Sequence, residues 1–124
     1  MTAEHYRPMI QAMQHLTQQV DPTADFAHRY MFGGVGLYTR GQIFGILMFT
    51  ALEPTAEPVV WILLKLPPDA HTALHTGEPV PESPISKAYA VIPPSIAEDE
   101  AALMGWLERS LRHVWSLKPG KKRS

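Results

Sequence analysis

The chain has 124 residues, enough for one domain with a single buried core. An apolar fraction of 45% beside 19% charged residues excludes intrinsic disorder as its general state, and the lack of cysteine excludes disulfides and thiolate metal sites. The net charge of −1 conceals a basic end, because ahead of Lys118, Lys121, Lys122 and Arg123 seven cations face twelve anions, a net of −5 that suits phosphate backbones poorly.

Tyr6, Met9, Ile10, Met13, Leu16 and Val20 recur at helical spacing and predict an amphipathic helix over residues 3–19. Asp21-Pro22 ends it, since the residue before proline is pushed out of the helical region. Residues 35–39 and 42–49 are rich in β-formers and meet at Arg40-Gly41, which predicts a hairpin. Gly45 inside the second of these strands marks a bulge or a close approach. A polar, proline-containing loop at 53–58 leads to the apolar run Val59 to Leu66, read as a strand buried on both faces and stopped by Pro67-Pro68.

Asp69 is placed to cap a short helix through about His75, residues 77–86 read as a proline-rich loop, and 87–92 as a further strand. Ser95-Ile96-Ala97-Glu98 has the spacing of a capping box. It opens a long helix whose apolar stripe Leu103, Trp106, Leu107, Leu111, Val114 and Trp115 runs to about Leu117. This order predicts an α+β fold: an antiparallel or mixed sheet of about four to five strands with an N-terminal helix, a short middle helix and a long C-terminal helix. Residues 1–117 are expected to form the domain and 118–124 a disordered basic tail.

The glycine-rich stretch Arg29-Tyr30-Met31-Phe32-Gly33-Gly34-Val35-Gly36-Leu37-Tyr38-Thr39-Arg40-Gly41 is the most distinctive part of the chain. A phosphate loop would need a Gly-Lys-Ser/Thr ending at a helix start, or Gly-x-Gly-x-x-Gly between strand and helix. Here Gly34-x-Gly36-x-x-Thr39 lacks the lysine, and a strand follows, so the glycines read as turn and packing residues. The motif residues Met31, Phe32, Gly33, Gly34, Gly36, Tyr38 and Gly41 are therefore assigned a structural role. Arg29 and Arg40 flank them and are the candidate contacts for a partner or ligand, because arginine clamps carboxylate and phosphate bidentately.

Together with this element order, Arg29-x-Met31-Phe32-Gly33-Gly34-x-Gly36-Leu37-Tyr38 resembles the TfoX (Sxy) N-terminal domain family, and the chain looks like a stand-alone member. Lys65 ends its strand as the family's Tyr-Leu-Lys segment does, Ile92-Pro93 is similar to the family's Val-Pro, and Leu103-Met104-Gly105-Trp106 to its Leu-Leu-x-Trp. The resemblance implies a small α+β domain similar to secretion-chaperone folds, in which dimers are common. Full-length members regulate bacterial competence and carry a second, C-terminal domain, which this chain is expected to lack. The proline-rich loop at 77–86 and the extra loop before the Val59 strand depart from the family pattern.

Other chemistry has bland explanations. His71 and His75 lie four apart, as paired metal ligands do, but only Glu78 stands near as a further ligand, so no metal site is assigned. Glu98, Asp99 and Glu100 are explained by the dipole of a helix start. Ser83, Ser86, Ser95, Ser110 and Ser116 carry no sign of an activating base, so no catalytic residue is assigned and no cofactor is expected. With no signal pattern at the N-terminus and no apolar run of about 20 residues, a cytoplasmic protein without membrane contact is expected. The function read from the sequence is that of a non-enzymatic regulatory domain that binds a protein, itself as a homodimer included. The alternatives are a nucleic-acid accessory acting through the basic tail, and a small-molecule-binding protein or enzyme with an unrecognised site.

Overall fold

A computed structural model describes residues 5–31, 33–50, 59–67, 69–70, 74 and 88–117. They form an α+β fold in which five strands, β1 (Ala27–Met31), β2 (Gly34–Thr39), β3 (Gln42–Thr50), β4 (Val59–Lys65) and β5 (Tyr89–Val91), make one antiparallel sheet in sequential order. Helix α1 (Arg7–Val20) precedes the sheet, and α2 (Pro94–Ala97) and α3 (Glu100–Ser116) follow it. Asp69, Ala70 and Leu74 are helical, where a short middle helix was expected; His71, His75 and the 77–86 segment lie outside the described residues, as do Phe32 and the basic tail.

Helix α1 starts at Arg7, with Pro8 in the first turn, where its missing N–H has no partner to lose. Ile10, Met13, Leu16 and Thr17 form its buried stripe. It ends at Asp21, whose backbone is extended as the following proline requires. The C-terminal helix begins differently from expectation. Asp99, not Ser95, caps α3, its carboxylate accepting from the Ala101 and Ala102 amides at 3.1 and 3.3 Å. Ser95 lies within the separate single-turn α2, and Glu98 is that helix's C-cap. Pro94 sets the first turn of α2, and the chain leaves the helical region at Asp99 (φ −105°, ψ 104°), so the two segments cannot be one helix.

One face of the sheet is covered by α1 and α3. Val35, Leu37, Phe44, Leu47, Ile62, Leu64, Ala90 and Ile92 from the strand side meet Ile10, Met13, Leu16, Leu103, Leu107, Leu111 and Val114 from the helices. The opposite face carries a smaller apolar cluster of Ile46, Trp61, Leu63, Tyr89 and Val91, with Ile43 and Met48 against it. Strand β4 alternates between the two clusters, Ile62 and Leu64 to one and Trp61 and Leu63 to the other. This is why it reads as a continuous apolar run.

The β2–β3 register shifts between Leu37 and Tyr38, where Leu37 pairs with Gly45 and Tyr38 with Ile43, leaving Phe44 as the extra residue of a bulge. A bulged residue loses its place in the ladder, and its buried carbonyl needs a donor from elsewhere. Ser110 of α3 supplies it, the hydroxyl donating to the Phe44 carbonyl oxygen at 3.1 Å in a buried setting. Ser110→Ala is expected to cost about 1–2 kcal/mol in urea unfolding, because it strands that carbonyl. Arg112→Ala, which breaks only the exposed Glu108 pair on the same helix, should cost less than about 0.5 kcal/mol.

Candidate functional site

The glycine-rich stretch is two successive hairpin corners and the strand between them. A further strand, β1, stands ahead of the predicted hairpin: its five residues pair in unbroken register with β2, Ala27 opposite Tyr38 through Met31 opposite Gly34. All five are exposed, so β1 has no apolar alternation to announce it. Gly33 turns the chain from β1 to β2 at φ 87°.

Gly34 and Gly36 do a different job from the turn glycines, since both lie within β2 and are buried. A Cβ at Gly34 would stand 2.3 Å from the Leu47 carbonyl oxygen, a backbone atom that belongs to the β3 ladder. At Gly36 the space is filled by Met31, Tyr38 and Ile43, whose side-chain atoms come within 3.0–3.3 Å of where a Cβ would be. The motif is thus held by close approach as much as by turn geometry.

Arg40 and Gly41 form the two-residue corner between β2 and β3, both at positive φ (53° and 75°). That is the geometry of the hairpin turns whose twist matches the strands, usually built from Asn-Gly or Asp-Gly. An arginine in the left-handed region costs about 1–2 kcal/mol, and the surroundings hold it there. The Arg40 N–H donates to Asp25 Oδ1 at 2.7 Å, and Thr39 Oγ1 lies 3.4 Å from the same oxygen. The guanidinium donates to Asp21 Oδ2 at 2.9 Å and lies 3.9 Å from the Trp115 ring centroid.

Asp21 is the C-cap of α1 and Trp115 is in the last turn of α3, so one guanidinium serves the negative ends of two helix dipoles. The Thr23 hydroxyl and amide, and after them Arg40, hold the Asp21 carboxyl below its usual range. Arg40 is therefore a fastener between the hairpin, the α1–β1 turn and α3.

Arg29 is placed otherwise. It sits on β1 opposite Gly36, exposed, and forms no salt bridge among the described residues. Its neighbours His28 and Tyr30, on the other face of the strand, pack edge to face with ring centroids 5.5 Å apart. Tyr30 and Met31 are 51% and 39% exposed, which is unusual for side chains of that size on a regular strand. The two arginines singled out by the sequence are thus separated in role: Arg40 fastens the fold, and Arg29 is presented to solvent.

The tryptophans behave as packing residues. Trp61 is buried in the second cluster, while Trp106 and Trp115 are partly buried and carry the guanidinium groups of Arg109 and Arg40 on their rings. Tyr89 is buried near Tyr38, and both burial and that neighbour raise its phenol above the ordinary value of 10.0. Among the described residues no three His, Asp or Glu side chains converge as a metal site would require.

His113, in the last turn of α3, has its imidazole pushed below 6.5, first by burial and then by the Lys65 charge, with Asp69 opposing. A depressed histidine favours the neutral form in the fold. Its contribution is therefore complete above pH about 6.5 and is lost as pH falls through the lower, folded value. His113→Gln should abolish that part of the stability loss between pH 7.5 and 5.5, read as the change in urea midpoint.

No helix among the described residues is long and apolar enough to cross a membrane. Comparison of the chain with known families, with curated proteins and with solved structures returns no match.

Proposed function

We propose that this chain is a non-enzymatic regulatory domain that works by binding a protein, of the kind its Met31-Phe32-Gly33-Gly34-x-Gly36 stretch resembles. One observation supports the reading above the others: β1 is a regular edge strand whose five residues are all exposed, on a sheet whose remaining described strands are largely buried. A sheet edge of this sort offers unpaired backbone donors and acceptors, which proteins ordinarily hide unless something pairs with them. Arg29, Tyr30 and Met31 supply a cation and two large apolar side chains, a combination typical of protein contacts. Arg40 and the glycines take the supporting role of holding the hairpin that carries β1.

The test is photo-crosslinking in the chain's native cells, with p-benzoylphenylalanine placed at Tyr30 in one variant and at exposed Arg112 on α3 in another. A discrete protein adduct, reproducible and identified by mass spectrometry, is the expected result. Its absence from both positions would remove the protein-binding reading.

A further inference from the structure

We infer that the free edge of β1 receives an extended segment of a different protein as a sixth antiparallel strand, and that this segment carries a carboxylate opposite Arg29. The inference rests on the binding function just proposed and names the partner's chemistry.

The sheet has two edges, and they differ. The β5 edge is only Tyr89–Val91, and all three residues are buried. The β1 edge is longer, and each of its residues is exposed on one face or the other. Natural edges are blunted by proline, bulges or dense charge. Ala27-His28-Arg29-Tyr30-Met31 contains no proline, its register to β2 has no bulge, and Arg29 is its only permanent charge. Among the described residues, nothing pairs with the outer side of β1, and backbone pairing is open along the strand.

The charge of Arg29 selects the occupant. Two copies of β1 joined about a two-fold axis must place residues of the same face opposite one another. The register that overlaps the whole strand is then centred on Arg29 and sets the guanidinium against its own copy. Like charges directly opposite on a sheet are destabilising. Centring instead on His28 or Tyr30 relieves the repulsion but overlaps only 27–29 or 29–31. A strand from another protein meets no such conflict, and an aspartate or glutamate opposite Arg29 turns the same position into an attraction.

The other face adds a second requirement. His28 and Tyr30 present two rings in edge-to-face contact, and cross-strand aromatic or β-branched residues pair best with such a surface. The partner segment therefore alternates an acid with aromatic or β-branched side chains. The mode is strand addition to an open sheet edge, in which backbone bonds give affinity and alternate side chains give selectivity.

The probe is an acetylated, amidated peptide of sequence Ser-Val-Tyr-Glu-Tyr-Val-Ser, titrated into the isotope-labelled full chain, with a second peptide bearing Lys in place of Glu. Expected are amide shifts and slowed hydrogen exchange confined to residues 27–31 at peptide concentrations up to about 1 mM. The Lys peptide should bind about fivefold or more weakly. Arg29→Glu should reverse that preference and Arg29→Gln erase it. Both variants should melt with the parent chain, because Arg29 is exposed and makes no ion pair among the described residues.

Equal affinity for the two peptides, no binding of either, or shifts centred away from β1 would overturn the inference. So would a concentration-dependent dimer whose protected amides are those of β1. A crosslinked partner captured from Arg112 but not from Tyr30 would leave the binding function standing and remove this inference alone.

Discussion

Gly34→Ala is expected to destabilise the chain more than any other single-methyl addition in the glycine-rich stretch, by at least about 3 kcal/mol. The added Cβ would meet the Leu47 carbonyl oxygen at 2.3 Å. That oxygen is backbone on β3, and β3 is held between β2 and β4, so it cannot step aside without disturbing both pairings. Relief has to come from separating β2 from β3, which also opens the apolar layer that Val35 and Leu37 share with Leu47. For a domain of this size the melting temperature should fall by roughly 10 °C or more.

Gly41→Ala is the informative comparison. Nothing lies within 4 Å of a Cβ there, so its cost arises only from the positive φ of 75°, about 1–2 kcal/mol. Thermal and urea unfolding of the two variants should rank Gly34→Ala well below Gly41→Ala. The reverse ranking would mean that turn geometry, and not the approach of β2 to β3, sets the need for glycine in this stretch.

The second large effect is expected at Arg40 and Trp115. Trp115→Ala should cost about 3 kcal/mol, since it removes a large, partly buried side chain from the core margin together with the platform for the guanidinium. Arg40→Ala should cost about 1–2 kcal/mol. The ion pair to Asp21 is only a small part of that, because the two side chains are 48% and 27% exposed and such pairs are worth little. The rest is the contact with Trp115 and with the two helix ends.

The double variant should fall short of additivity by about 0.5–1 kcal/mol, which measures the Arg40–Trp115 contact itself. Arg40→Gly separates side chain from backbone: it loses the same contacts but escapes the left-handed penalty at φ 53°. It should therefore be more stable than Arg40→Ala by about 1 kcal/mol. An Arg40→Gly variant no better than Arg40→Ala would show that the turn does not hold Arg40 under strain.

Much of this architecture is legible in the amino-acid sequence. Helix α1 and the Arg40-Gly41 corner are specified locally, by a repeating apolar stripe, a proline and a glycine. Strand β4 announced its burial on both faces through six consecutive apolar residues from Val59 to Leu64. The glycines were legible as structural because a phosphate loop has requirements in type and spacing that this stretch does not meet.

Three things were not legible. Strand β1 lacks alternation because neither of its faces is buried, and periodicity reports burial, not backbone pairing. The cap of α3 went to Asp99 because Pro94 starts a separate turn whose direction the chain abandons at Asp99, so the Ser95–Glu98 spacing came to nothing as an α3 cap. The partners of Arg40 lie 15, 19 and 75 positions away, at Asp25, Asp21 and Trp115, and no local pattern links them.

The amino-acid sequence by itself determined the class of fold, the location of most elements and the structural character of the Met31–Gly41 stretch. These follow from side-chain periodicity and backbone preference, which act over a few residues at a time. Only the tertiary structure decided the different fates of its two arginines. Arg40 is fastened across the surface because the ends of α1 and α3 bring a carboxylate and an indole ring to the β2–β3 corner. Arg29, on the edge strand of the sheet, has no element beyond it among the described residues. Which cation is fastened and which is offered to solvent depends on what lies across space, and that is a property of packing.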